Sequence, residues 1–446
     1  MNPQTELYFC FDTEDFTSSY AADAIRDTAR LLESEGIQGN YMMVGLLAQQ
    51  LISWGRYDVL EALKAHNIEF HSYSHSIHPT LIEYTDLQDF DEAYRRLMAE
   101  EAQGVGMVRA VTGRNRLHAA SPPGNSTCYV AMYAYRDLGM RVYCDTQVLS
   151  KEGKFVTPYE TADGHDLYYC NLFHLLYRQA LESHLFNEDF DPQALAEELA
   201  GYKRAVLFNH PNMILYSRFW DSNYDRSNHC AYGQWPEMPR RSPQEVERFY
   251  TRMRELVRLL KADGRFVFRT IRELTEEMES LPPRTLTREQ LPAIRDALKK
   301  AFRPDQFAFA DLFQACQAFL KGADSFTAGL VYGFLEEPQG VEHSVVLSAA
   351  GIRQAAEKIN AATFLPERIE VDGISVGPAD FLFAMLDLLC DGGEEITVTP
   401  RDQLGDTSEF PNLGAYTLKG SWVYADDFED LYQTKRLRLQ FWTLHR

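Results

Sequence analysis

The chain has 446 residues, 45% of them apolar and 24% charged, the balance of a globular protein long enough for two domains. Asp and Glu number 65 against 44 Lys and Arg, a formal charge of −21, which argues against broad binding to nucleic acid or to an anionic membrane. No apolar run reaches the ~18 residues of a membrane span, no basic-then-apolar leader is visible, and the 7 cysteines are scattered without a Cys-x-x-Cys pair, which together point to buried thiols in a reducing, cytoplasmic setting.

Residues 7–11 (Leu-Tyr-Phe-Cys-Phe) form an apolar run that ends in acids, the pattern of a buried strand whose polar tip faces a site. An amphipathic helix is predicted over 21–35, stopped by Gly36. A strand follows at 40–44, a helix at 59–65, and a strand at 68–70 that runs into a His-rich segment. Helices are predicted at 89–102 and 126–138, with a strand at 141–144 after Gly139. A helix at 192–200 precedes a short buried strand, 205–208, that ends at Asn209-His210. A long helix at 242–262, a strand at 265–268 and a helix at 271–279 complete this half. The alternation gives an α/β class with a parallel sheet or barrel. Pro282-Pro283 marks the best boundary, dividing the chain into domains 1–281 and 282–446. Beyond it, helical periodicity dominates up to Leu389.

The chemistry is concentrated in the first domain, where polar clusters stand at the C-terminal ends of predicted strands, the place where parallel α/β folds put active sites. They are Asp12-Thr13-Glu14-Asp15, His71-Ser72-Tyr73-Ser74-His75 and Asn209-His210-Pro211. Two histidines four apart on a helical turn project from one face and can share a metal. A carboxylate from the first cluster would complete a two-His, one-carboxylate set that leaves room for water and a substrate oxygen.

These clusters, with Ser121-Pro122-Pro123-Gly124-Asn125-Ser126 and Val142-Tyr143-Cys144-Asp145 in order between them, resemble the NodB-homology polysaccharide deacetylases, carbohydrate esterase family 4, over about residues 5–280. The resemblance implies a distorted (β/α)7-type barrel, here with a mainly helical C-terminal domain. It also implies a divalent metal, usually zinc, and hydrolysis of an N-acetyl group on an amino sugar or glycan. Carried over by position, Asp12 is the general base and His210 the general acid. His71 and His75 hold the metal with Glu14 or Asp15; strand parity leans to Glu14. The N–H of Gly124 or a loop neighbour helps stabilise the oxyanion, and Asp145 orients a catalytic side chain or caps a turn. The family's third motif has an Arg before its Pro that contacts the catalytic Asp; here Ala120 and Ser121 fill those slots, with Arg114 and Arg116 as the nearest substitutes.

Tyr216, Phe219, Trp220, Tyr224, Tyr232 and Trp235 crowd one segment after His210. They read either as sugar-stacking faces or as a cap that packs its own aromatics over the barrel mouth. Residues 355–389 resemble a pseudomurein-binding-type repeat: a helix, Leu-Pro, a strand pair around Asp-Gly and an aromatic helix, echoed by 307–320. That implies a glycan-binding accessory domain, against a plain helical or dimerisation domain. The leading expectation is a metal-dependent deacetylase acting on an N-acetylated carbohydrate. The alternatives are hydrolysis of a small non-sugar amide, or a non-catalytic glycan-binding protein on a decayed barrel. No nucleic acid or membrane insertion is expected, and the oligomeric state is open.

Overall fold

The computed structural model describes residues 4–124, 127–144, 148–150, 154–160, 166–221, 235–417 and 427–446. The chain forms two compact units, one of residues 1–149, 174–280 and 418–430, the other of 150–173, 281–417 and 431–446. The switch between Ser280 and Leu281 falls beside the proline pair. The inclusion of 150–173 in the second unit has a local cause. Tyr168 pairs with His445 through both backbone N–H groups, at 2.9 and 3.1 Å. Their rings stack at 4.6 Å, and the Cys170 N–H donates to the Thr443 hydroxyl.

The first unit is a curled parallel sheet wrapped by helices, the distorted (β/α) barrel class expected. Its strands are β1 (Thr5–Thr13), β2 (Asn40–Met43), β3 (Asn67–Phe70), β4 (Ala119–Ala120), β5 (Val142–Cys144), β6 (Tyr177–Ala180), β7 (Arg204–Asn209) and β8 (Phe266–Phe268). Their order is β6-β7-β1-β2-β3-β4-β5, every neighbour parallel. β1 is the hub: β7 lines one edge from Glu6 to Phe11, while β8 takes the start of the other edge and β2 its end. A strand flanked on both sides must be apolar throughout, and Leu7 to Phe11 are each 1% exposed or less. Among the described residues no helix is long and apolar enough to cross a membrane.

Two helices lie against the His-rich segment. Gly45–Ser53 was not anticipated, and Phe90–Thr112 runs ten residues past its expected end, up to Gly113 at φ +69. They meet at glycines. A Cβ on Gly45 would lie 2.8 Å from the Gly104 Cα, and one on Gly104 would lie 2.9 Å from the Tyr73 Cα. The helix is thus packed directly on the backbone that carries His71 and His75.

The second unit holds the helices Leu291–Lys300, Phe309–Leu320, Ala349–Lys358 and Pro378–Asp391. A tight hairpin, Ile369–Val371 with Ile374–Val376, turns through Asp372 and Gly373 at φ +53 and +77, the conformation that favours Asp-Gly. Helices 309–320 and 378–391 both carry Ala-Asp at their second and third positions, and in each the fully buried aspartate, Asp311 or Asp380, accepts from the backbone N–H three residues back at 3.1 Å.

Gly104→Ala should destabilise the protein although alanine favours a helix by about 1 kcal/mol, because overpacking costs about 1–3 kcal/mol. Gly106→Ala in the same helix, where an added Cβ meets nothing within 4 Å, should stabilise it. Urea denaturation of the two variants checks the pair; equal shifts would show that the helix does not press on the loop.

Candidate metal centre and active site

The described functional side chains leave the C-terminal ends of β7, β1 and β3, joined by Tyr177 from the start of β6 and Glu182 from the helical turn after it. Residues 71–80 form no helix, so the histidine pair does not converge by helical spacing. Instead Ser72 and His75 take positive φ values, 66 and 50, which for residues other than glycine stores strain and persists only where neighbours enforce it. Here the carbonyls of Ser72 and Tyr73 accept from the N–H groups of Gly45 and Leu46, each at 3.0 Å. The Tyr73 N–H donates to Glu101 at 3.2 Å. Burial pushes the Glu101 carboxyl up to about 7, against the hydrogen bonds from Tyr135 and Tyr73.

The loop delivers both imidazoles to one carboxylate oxygen. Glu14 Oε2 lies 3.0 Å from His75 Nε2 and 3.4 Å from His71 Nε2. The three ligand atoms fall within 4.8 Å of one another, all buried. Glu14 Oε1 is held separately by the Trp220 indole N–H at 3.1 Å. His71 Nδ1 is 3.1 Å from the Ser121 carbonyl, which can only accept, so Nδ1 carries a proton, and in the neutral form of the ring the lone pair is on Nε2, facing Glu14. His75 Nε2 is buried and makes no hydrogen bond. Two nitrogen lone pairs and a carboxylate oxygen converging in a dry pocket are the donor set of a divalent cation such as zinc. The electrostatics agree. Burial opposes ionisation of Glu14, but the facing imidazoles of His75 and His71 hold it well below the usual carboxylate range. Burial opposes a charged His71, yet Asp12 and Glu14 raise it. The field that draws a proton onto His71 also favours a cation.

Beside this set stand Asp12 and His210. Asp12 Oδ1 accepts from the Tyr177 hydroxyl at 2.8 Å, and Oδ2 lies 3.7 Å from His210 Nε2. The other His210 nitrogen, Nδ1, is 2.6 Å from Glu182, whose second oxygen accepts from the Asn209 side chain at 2.8 Å. Burial raises Asp12, tempered by His71 and His210. Burial would lower His210, but Glu182, with Glu14 and Asp12, raises it to about 10.

Asp15 lies outside the cluster. Its Oδ1 accepts from the Thr17 N–H, the Thr17 hydroxyl and the Ser18 N–H, a turn that leads into the helix Ala21–Ser34, and burial pushes it up to about 7. Gly124, at φ +39 and half-buried, follows β4 in the loop whose Ser121 carbonyl holds His71. Asp145 lies outside the described residues. Neither arginine contacts Asp12: Arg114 donates to the carbonyls of Lys64 and His66, and Arg116 to Glu279 and the Gly139 carbonyl. Tyr177 holds the carboxylate instead. Of the aromatic segment, Tyr224 and Tyr232 lie outside the described residues. Phe219 sets its edge on His210 at 4.8 Å, and Trp220 packs on Phe16 at 4.7 Å and on His75 at 5.2 Å, as a cap does. Tyr177, Glu182, Trp220 and Asp221 were not singled out as site residues; only the aromatic crowding hinted at Trp220.

No family model matches the chain, and no curated protein matches it. Solved structures do. A Mycobacterium smegmatis protein assigned as a polysaccharide deacetylase is 18% identical with a TM-score of 0.37, over 64% of this chain and 95% of that one. A Bacillus anthracis pseudoenzyme of carbohydrate esterase family 4 is 12% identical with a TM-score of 0.34, over 62% and 66%. A Streptomyces lividans family 4 carbohydrate esterase, solved with acetate, is 11% identical with a TM-score of 0.32, over 60% and 93%. At this level of likeness none of them says what this chain does.

His75→Ala should strip most divalent metal from the purified full-length protein, read by elemental analysis; parental metal content in the variant would refute the assignment. The raised His210 makes a second expectation. Its charged form stabilises the fold fully below its ordinary value near 6.5, and that contribution is lost as pH rises through about 10. Glu182→Gln should therefore lower the upper pH limit of stability, measured as the melting temperature against pH.

Proposed function

We propose that this chain is a metal-dependent hydrolase that removes an acyl group, in the leading case N-acetyl from an amino sugar. The observation that carries the reading is the pairing of Asp12 and His210, 3.7 Å apart, beside the Glu14–His71–His75 set. Glu14, His71 and His75 would hold the cation, which when bound supplies Lewis-acid polarisation and lowers the pKa of water. Asp12, fixed through Oδ1 by Tyr177, offers Oδ2 to take the proton of the attacking water. The water oxygen bonds to the acyl carbon as the C–N bond breaks. His210, held protonated by Glu182, gives its Nε2 proton to the leaving nitrogen. The Gly124 loop is the proposed source of a backbone N–H for the oxyanion.

A second reading has its own support. Asp12, Glu14, His71 and His75 are each 4% exposed or less, so only a small or protruding acyl group can reach them. That favours a terminal N-acetyl sugar or a small non-sugar amide over the interior of a glycan chain.

Acid–base catalysis is worth about 10²–10⁴-fold, so Asp12→Asn and His210→Ala should each lose at least ~100-fold in turnover. Asp12→Asn should keep its metal, because Asp12 is not proposed as a ligand. The assay is acetate release from N-acetylated mono- and oligosaccharides, set against ring-opening of cyclic amides. Turnover of amides alone would select the second reading; glycan binding without any turnover would select a non-catalytic role.

A further inference from the structure

We infer that Trp220 and Asp221 are positioning residues that clasp the metal set from outside, one on its carboxylate and one on an imidazole. The inference rests on the metal-centre part of the reading above and adds residues that no ligand pattern contains.

Glu14 has two oxygens, and its use as a ligand depends on which one faces the histidines. The Trp220 indole N–H occupies Oε1 at 3.1 Å, leaving Oε2 as the atom 3.0 and 3.4 Å from the two Nε2 atoms. The indole cannot swing away, because it is 2% exposed and wedged between Phe16 at 4.7 Å and Trp235 at 5.2 Å. Asp221 acts on the other side. His75 turns Nε2 toward Glu14, while its Nδ1 lies 3.1 Å from the Ser76 hydroxyl and 3.6 Å from Asp221 Oδ2. A hydroxyl can donate or accept, so Ser76 alone leaves the tautomer open. A carboxylate at 1% exposure, where charges are poorly screened, favours the proton on Nδ1 and the lone pair on Nε2. A carboxylate behind a metal-binding histidine fixes the ring and raises its basicity, and losing such a partner typically costs 10–100-fold in metal affinity.

Both residues belong to the stretch that begins at His210. One segment therefore carries the proton donor and braces the metal ligands, which couples occupancy of the metal set to the placement of the acid.

The test uses the full-length protein and zinc alone. Affinity is read by competition with a chromophoric chelator, and tryptophan emission is followed during the titration. Asp221→Asn, close in shape, should bind zinc 10–100-fold more weakly with little change in the metal-free melting temperature. Trp220→Phe should weaken zinc binding and remove the zinc-induced change in emission. Should Trp220→Phe fail to fold, the affinity of Asp221→Asn decides. Parental affinity in Asp221→Asn, with a parental emission response in any folded Trp220→Phe, would overturn the clasp and leave the metal centre intact. A parent protein that binds no zinc would overturn both.

Discussion

Inside the barrel, the Glu14 carboxylate meets two imidazole nitrogens with almost no water at hand. Electron-rich groups buried together repel one another, and an unpaired buried charge is costly. A cation or shared protons must sit among them, and much of the surrounding structure follows from that requirement. The His-rich loop accepts positive φ at two residues to bring the second ring round. Helix ends, a buried glutamate and a pair of touching glycines hold that loop in place.

The acid–base pair answers a different constraint. Asp12 and His210 must sit close yet hold opposite proton states. Each is supported by a partner of its own: Tyr177 donates to the carboxylate, while Glu182 pulls a proton onto the imidazole. The partners come from β6 and the helical turn just after it, next to β7 in the sheet. The geometry therefore depends on β6, β7 and β1 staying in parallel register.

Much of this was legible in the sequence. Asp12, His71, His75 and His210 could be named, and Glu14 as an alternative to Asp15, because they stand in chemically marked clusters after apolar runs and match the motifs of the family the chain resembles. The fold class followed from the same alternation. The reason for the histidine pair's convergence was misread: four-residue spacing suggests a helical turn, whereas the backbone uses two left-handed residues, which no spacing rule encodes. Tyr177 and Glu182 were hidden because their partners lie 165 and 28 residues away, and a lone Tyr or Glu in a polar stretch carries no sign of its contact. The length of helix 90–112 was underread because Gly104 and Gly106 resemble a stop signal, yet the first is a packing contact. β4, two residues long, is below what periodicity can detect.

The C-terminal unit holds a feature of another kind. Strand Thr285–Thr287 pairs antiparallel with Ser325–Thr327, and Val345–Ser348 with Glu395–Val398, each pair bracketing two helices. Every such module starts and finishes at the same place in space. Its excision or duplication would leave the flanking chain ends nearly where they were, at little cost in loop closure. The two second helices also share an Ala-Asp pair near their starts, with the buried aspartate turned back onto the backbone in each.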